Sequence, residues 1–351
     1  MATIKEIAKL ANVSTATVSY ALNDPSKISE ETRAKVMRVV EQVNYRPNSI
    51  AKSLKVKRTN AIGVITEDIT VFNTPEIING IGECAEEHNY HIILENIRLY
   101  KRIGNNYQDT SKFTGVIKDT TSVLMSKQVE GIIYVGAHCR DVTGLIDKTP
   151  IPVVYTYCYT QNEGDYTVNY DDFLAAYEAT KYLIGMNHRK IALITGLMGS
   201  GQCQERIKGY QKALYESQVL FNPEYLKVGN WEREAGYEAG KELLTSVNRP
   251  TAIFALNDVM AGGVFDAAVE LGLKIPEDLS LIGFDNRECS YSYSPKLTTM
   301  ALPLNNIGNM ATEILINSLS KQKQKNFPQH SKLKCALVER ESVMPLLKGE
   351  L

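Results

Sequence analysis

The nineteen residues from Ile4 to Leu22, IKEIAKLANVSTATVSYAL, narrow the choice of fold more than any other stretch. Ile4, Ile7, Ala8 and Ala11 fall at i, i+3, i+4 and i+7, one face of a helix, with Lys5, Glu6 and Lys9 on the other. Asn12 tolerates a left-handed turn, Val13 plugs the corner, and Ser14 is a helix N-cap. Val18, Ala21 and Leu22 supply the buried stripe of a second helix. Its free face holds Thr15, Ala16, Thr17, Ser19 and Tyr20, with no charge and only one large side chain. A solvated face ordinarily carries Lys or Glu. Short side chains suit a helix that enters the major groove and meets base edges and thymine methyls, with end hydroxyls on phosphates. A plain helical hairpin fits the same pattern, and the residues that follow weaken that plainer reading.

Ser29-Glu30-Glu31-Thr32 opens a third helix, with Ser29 as cap and acids in the first turn, where the helix dipole favours them. Val36, Val39, Val40 and Val43 continue its apolar face. After Pro47, Asn48 caps a short segment through Ile50, Ala51 and Leu54, surrounded by Arg46, Lys52, Lys55, Lys57 and Arg58. A helix this short needs outside support. One protruding Leu on a marginal basic helix fits a wedge that kinks a base step from the minor groove; a solvated linker is the blander alternative.

Charge is divided accordingly. The whole chain of 351 residues carries a net −1. Residues 1–60 hold 11 Lys+Arg against 5 Asp+Glu, a net +6, which leaves −7 for the remainder. A basic head on an acidic body presents one end to phosphates.

The two patterns together, I-x-x-I-A-x-x-A-x-V-S-x-x-T-V-S and Y-R-P-N-x-x-A-x-x-L, resemble the lactose-repressor/galactose-repressor (LacI/GalR) family of bacterial transcription factors in both residues and spacing. The resemblance implies a homodimer in which a helix-turn-helix domain, residues 1–46, reads near-palindromic operator DNA. It implies a hinge helix and linker, 47–60, that folds on DNA and inserts Leu54 at a minor-groove kink at the operator centre. Base reading falls on Thr15, Ala16 and Tyr20. The wider DNA-contact set adds Thr3, Ser14, Thr17, Ser19, Asn23, Asn48 and Ala51. Tyr20 departs from the Arg common at its position, so the outer operator bases are expected to differ.

From Ala61 onward short apolar runs alternate with helix-period segments. AIGVIT (61–66), HIIL (91–94), GIIYVG (131–136), PVVYT (152–156), KIALIT (190–195), TAIFAL (251–256) and LSLIGF (279–284) read as strands. Helices are expected near 76–88, 116–127, 173–184, 203–215, 232–244 and 259–271. Strands that are apolar throughout argue for parallel sheets covered on both faces. The resemblance makes residues 61–345 an α/β, two-lobed, periplasmic-binding-protein-like domain for effector binding and dimerisation, crossing between lobes near 160, 290 and 323. KQKQKNFPQHSK (321–332) reads as a surface connection. Residues 95–115 are longer than the family's usual connection, and Tyr100, Lys101, Arg102 and Tyr107 make them basic and aromatic; a lid, a partner surface and a tolerated insertion all fit, with the insertion ahead.

Parallel sheets bind ligands at the carboxyl ends of their strands. Asp68, Arg206, Asn257 and Asp285 follow strands or open helices, and Trp231, the one Trp, follows a short strand at 226–229. Carboxylates, an Arg and a carboxamide match vicinal hydroxyls, and an indole face stacks on a sugar or a flat base. Each residue also has a structural reading: a cap for Asn257, a turn for Asp285, core for Trp231. The resemblance puts Arg206, Trp231, Asn257 and Asp285 in the effector pocket and, less firmly, Asp68 and Asn169. A sugar or sugar phosphate is the preferred effector, ahead of a purine.

Other classes fit poorly. LMGSGQ (197–202) lacks the Lys and Ser/Thr of a nucleotide-hydrolysing loop. No Ser/His/Asp set emerges from five His, so no enzyme and no cofactor is expected. Six scattered Cys predict free thiols in a reducing cytoplasm and no metal. The first helix begins at once, with no secretion signal and no apolar run long enough to span a membrane. Expected, then, is a cytoplasmic, dimeric repressor of a carbohydrate-utilisation operon. The alternatives are a catabolite-type regulator controlled by a phosphocarrier protein and a purine-type corepressor-dependent repressor. The phosphocarrier reading is lowered because no basic residue lies between Glu288 and Pro295.

Overall fold

The computed structural model describes residues 2–45, 58–103, 113–320 and 325–346. Asn48, Ala51 and Leu54 of the expected hinge lie outside the described residues, as do 104–112 of the 95–115 segment. Contacts divide the chain into two units, Met1–Thr59 and Asn60–Leu351.

In the first unit α1 (Ile4–Leu10), α2 (Thr15–Asn23) and α3 (Glu30–Gln42) pack three ways. Each start is fixed by its cap. Thr3 and Glu6 form a reciprocal capping box, Ser14 accepts from the Thr17 N–H at 3.0 Å, and Ser29 accepts from that of Thr32 at 3.3 Å. Asn12 makes the turn at φ 49°. Ile7, Ala8, Ala11, Val18, Ala21, Val36 and Val40 form the core, and Val13 packs against it.

The second unit contains two six-stranded sheets. The first runs β11-β5-β4-β3-β1-β2, built from β1 (Ala61–Thr66), β2 (His91–Asn96), β3 (Gly131–Val135), β4 (Val153–Thr156), β5 (Tyr166–Tyr170) and β11 (His330–Leu333), all parallel. The second runs β12-β10-β9-β8-β6-β7: β6 (Ile191–Thr195), β7 (Leu226–Val228), β8 (Ala252–Ala255), β9 (Ser280–Asp285), β10 (Thr298–Ala301) and β12 (Ala336–Val338). Only β12 is antiparallel. Helices cover both sheets. In the first lobe α4 (Thr74–Glu87) packs on a helix from Leu304 to Leu319 that returns from the far end of the chain. The approach is so close that a Cβ on Gly80 would lie 2.0 Å from the Asn305 carbonyl oxygen, and one on Gly308 2.0 Å from that of Ile77.

The lobe crossings correct the sequence expectation. They fall between Tyr170 and Asp172, between Ala301 and Leu304, and between Leu333 and Ala336, each about ten residues beyond 160, 290 and 323. The cause is that β5, β10, β11 and β12 are short and polar at half their positions or more lightly buried, so no continuous apolar run announces them. Residues 321–332 are likewise not wholly a surface connection, because His330–Leu333 joins β5 as an edge strand.

Candidate functional site

On the first unit, the α2 face opposite its buried stripe is free. Thr15, Ala16 and Asn23 are exposed, Thr17 and Ser19 half-buried, and Tyr20 is 41 % exposed. Thr3 lies exposed at the start of α1. Two of the hydroxyls are locally occupied: Ser14 and Thr17 share a hydrogen bond of 2.9 Å. The Asn23 amide donates to the Ser19 carbonyl at 3.0 Å, and Lys27 sits 5.4 Å from the Tyr20 ring centre. Tyr20 is therefore the protruding group of an otherwise low-relief face.

In the second unit a cavity of about 310 Å³ opens between the carboxyl ends of the two sheets. The first lobe contributes Thr70, Phe72, His138 and Tyr157; the second contributes Gln202, Arg206, Trp231, Asn257, Asp285 and Arg287. Arg206 rises from α8, which is Gly201–Glu216 once α5 (Leu99–Ile103), α6 (Thr114–Ser126) and α7 (Asp172–Gly185) are counted. Its buried guanidinium is held from three sides. Nε donates to Asp172 at 2.7 Å, one terminal nitrogen to the Leu256 carbonyl at 2.5 Å, and the other to the Tyr170 hydroxyl at 2.9 Å. It lies 3.6 Å from the Phe284 ring centre and 5.7 Å from the Trp231 ring centre. Such a fork is fixed before any ligand arrives.

Asn257 serves two neighbours. Its oxygen caps the next helix by accepting from the Met260 N–H at 2.8 Å, and its amide donates to the Trp231 carbonyl at 2.9 Å. The structural reading of Asn257 is thus correct, and it also props up the Trp231 segment. Trp231 lies against Gly196, where a Cβ would fall 2.0 Å from the ring. Burial pushes the Asp285 carboxyl up to about 8; Arg206 pulls it back and Asp258 pushes it further. Burial likewise raises Asp258 to about 7, against the Thr299 hydroxyl and the Arg287 N–H that donate to it. A neutral Asp285 both donates and accepts. Three left-handed backbone positions fall at the cavity: Tyr157, Trp231 and Asp285 hold φ of 55°, 77° and 104°. Bulky residues rarely adopt such values, and they persist where a site requires them. Across the mouth, the Arg287 guanidinium stands 4.7 Å from the Phe72 ring centre, joining the lobes.

The profile described as "Bacterial regulatory proteins, lacI family" matches residues 3–48, and that described as "Periplasmic binding protein-like domain" matches 180–343. The chain is 35% identical over 341 residues to the HTH-type transcriptional repressor PurR of Vibrio vulnificus, covering 95% of this chain and 97% of that one. It is 34% identical over 351 residues to the ribose operon repressor of Haemophilus influenzae, covering 99% and 100%. The chain belongs to the LacI family of transcriptional repressors. Among solved structures, the lac repressor dimer bound to operator and the anti-inducer ONPF superposes with a TM-score of 0.78 at 25% identity, covering 98% of this chain and 99% of that one. Operator DNA, a small-molecule effector and a second copy of the chain are the partners of such a repressor. Among the described residues no helix is long and apolar enough to cross a membrane.

Of the six effector residues expected from sequence, this LacI-family repressor brings four together: Arg206, Trp231, Asn257 and Asp285. Asp68 and Asn169 are not on the cavity wall. Asp68 spends one oxygen on the Thr70 N–H (3.0 Å) and hydroxyl (2.7 Å), which shapes the loop after β1. Asn169 sits within β5, where its amide donates to the Cys158 carbonyl at 2.8 Å. Sequence reasoning missed Phe72, His138, Tyr157, Gln202 and Arg287. His138, Tyr157 and Arg287 lie within three residues of the ends of β3, β4 and β9, so the rule that points to strand ends reaches them. Phe72 and Gln202 carried no signal of their own.

Proposed function

We propose that this repressor controls a carbohydrate-utilisation operon, acts in the cytoplasm without catalysing a reaction, and answers to a sugar or sugar phosphate held by Arg206, Trp231, Asn257 and Asp285. The observation that carries the reading is the cavity's chemistry: a fixed Arg fork, a buried carboxyl and a carboxamide around an indole face. Hydroxyls both donate and accept, and they find both kinds of partner here. On the DNA side, Thr15, Ala16 and Tyr20 read bases, with Thr3, Ser14, Thr17, Ser19 and Asn23 at their edges. Asn48, Ala51 and Leu54 form the hinge, with Leu54 as minor-groove wedge. The effector acts through its differential affinity for the operator-bound and free states.

A purine corepressor is the second reading, favoured by the 35% identity to PurR of Vibrio vulnificus. One titration separates the two. The repressor has a single Trp, so fluorescence changes report on Trp231. Saturation by a sugar or sugar phosphate, followed by a matching change in operator affinity, supports the first reading; saturation by a purine base alone overturns it. A gel shift with Leu54→Ala checks the hinge. Operator affinity is expected to fall at least about tenfold, on the scale of a lost unstacking wedge, and unchanged affinity removes Leu54 from that role.

A further inference from the structure

The wall of the main cavity is balanced in charge. Its inner cation, Arg206, is 2% exposed, and its guanidinium stands 2.7 Å from the carboxylate of Asp172, which is buried too. Each of its three nitrogens already donates once within the lobe, to Asp172, the Leu256 carbonyl and the Tyr170 hydroxyl. The second lining guanidinium, Arg287, stands at the mouth against the Phe72 ring, and its backbone N–H donates at 2.7 Å to the buried Asp258 carboxylate behind it. Two carboxyls, Asp285 and Glu232, line the cavity beside them, and Glu232 is exposed, where water screens it. The His138 imidazole on the same wall is pushed down to about 4 by burial, so it adds no charge at neutral pH.

Asp285 is the second observation. It is 8% exposed, faces the cavity from the end of β9, and among the described residues its carboxyl enters no hydrogen bond. Arg206 favours its charge, while Asp258 and Asp172 oppose it. A group placed so gains from a partner that both donates and accepts, as a hydroxyl does. An anionic group there meets a carboxyl with further acids behind it and no unanswered cation. An ammonium group meets Arg206 instead. A charge taken out of water needs a counter-charge, and the inner wall has none left over. Size acts in the same direction. A cavity of about 310 Å³ lies at the lower end for small-molecule sites, so a sugar ring leaves little room for a phosphate to stand clear of the wall.

We infer that the effector is an uncharged sugar, with hydroxyls on Asp285 and Arg206 and its ring against Trp231, and that the balanced wall turns away phosphate esters, sugar acids and amino sugars. The inference rests on the sugar-effector reading and narrows it.

The full-length repressor is titrated at neutral pH and constant ionic strength, following Trp231. The panel is ribose, glucose and galactose, the esters ribose 5-phosphate, glucose 6-phosphate and galactose 6-phosphate, then gluconate, glucosamine, hypoxanthine and guanine. The expected result is saturation by a neutral sugar, with its charged forms bound at least about tenfold more weakly, a fraction of what one unpaired buried charge costs. Val259 is a half-buried apolar residue of the cavity wall. Val259→Lys supplies the missing counter-charge, and the discrimination against the phosphate ester is expected to shrink at least about tenfold. Lys208→Gln, which removes an exposed cation from α8 outside the cavity, is expected to leave it unchanged. If Val259→Lys does not fold, the wild-type comparison decides alone. A charged form that binds as tightly as its neutral parent, or more tightly, overturns the inference and keeps the sugar reading. Equal discrimination in wild type and a folded Val259→Lys overturns charge balance as its cause. Saturation by a purine alone, or by nothing in the panel, sinks the sugar reading and the inference with it.

Discussion

The two lobes meet the cavity in different states of preparation. On the second lobe the polar groups are already engaged: Arg206 by Asp172, Leu256 and Tyr170, and Asn257 by Met260 and Trp231. On the first lobe, at the end of β1, at the start of α4 and in the loops after β1 and β3, Thr66 Oγ1, Asp68 Oδ2, Asn73 Oδ1, Thr74 Oγ1 and Arg140 Nε are buried behind the cavity wall without a hydrogen-bond partner. A preorganised wall costs little to order when a ligand arrives. Unpartnered groups buried behind the other wall gain only when a rearrangement of their own lobe brings them partners. On that contrast the second lobe is the template, and the first lobe is the side that still has buried groups for a rearrangement to satisfy.

The largest expected effect breaks the template. Arg206→Ala leaves Asp172 buried without its cation and takes a donor from the Leu256 carbonyl and from the Tyr170 hydroxyl, which keeps only the Gln202 amide. Breaking one side of a buried pair destabilises by about 3–5 kcal/mol. Urea unfolding of the full repressor is expected to show a loss in that range, with altered Trp231 emission because the guanidinium no longer lies near the indole. A loss under about 1 kcal/mol, the worth of an exposed pair, contradicts the view of a preassembled second lobe.

That difference also marks what the sequence could show. The helix caps Ser14 and Ser29, and the apolar runs of β1, β3, β6, β8 and β9, are local signals, and the structure realises them where expected. Four of the second-lobe cavity residues follow strands or open helices and were legible for the same reason. The crossings were not legible, because β5, β10, β11 and β12 are defined by their partners and not by their own composition. Helix Leu304–Leu319 was missed although Leu304, Ile307, Gly308, Ala311 and Leu315 repeat at helical spacing; what the sequence does not show is that it joins the first lobe more than 200 residues after α4, where Gly308 fits onto Ile77. Nor does sequence show that Asp285 sits deep enough to stay protonated.

The second prediction uses that proton. The Asp285 carboxyl is raised from near 4 in the unfolded chain to about 8 in the fold. Between those values the folded state binds the extra proton, so its contribution to stability is complete below pH 4 and is lost as pH rises through 8. The melting temperature of the repressor is therefore expected to fall from pH 5 to pH 9. Asp285→Asn, which keeps the shape of the neutral acid, is expected to remove about half of that slope, with Asp258 supplying much of the rest. An unchanged slope in Asp285→Asn places the titrating group elsewhere and leaves the second lobe's preassembly without its neutral acid.

The smallest effect tests the first lobe as the moving part. Phe72 is half-buried and reaches across the mouth to Arg287. A cation–π contact at such a site contributes about 0.5–1 kcal/mol. If the lobes close on an effector through this contact, Phe72→Ala is expected to speed effector dissociation by about two- to fivefold. Global stability should change by less than about 1 kcal/mol, since the ring stands at the edge of the core. Stopped-flow chase of the bound effector gives the rate, and urea unfolding gives the stability. A faster release with unaltered stability puts closure on the first lobe. An unaltered release rate leaves Phe72 a wall of the cavity, and a large stability loss makes it part of the core; either result erases the distinction between template and moving surface at this contact.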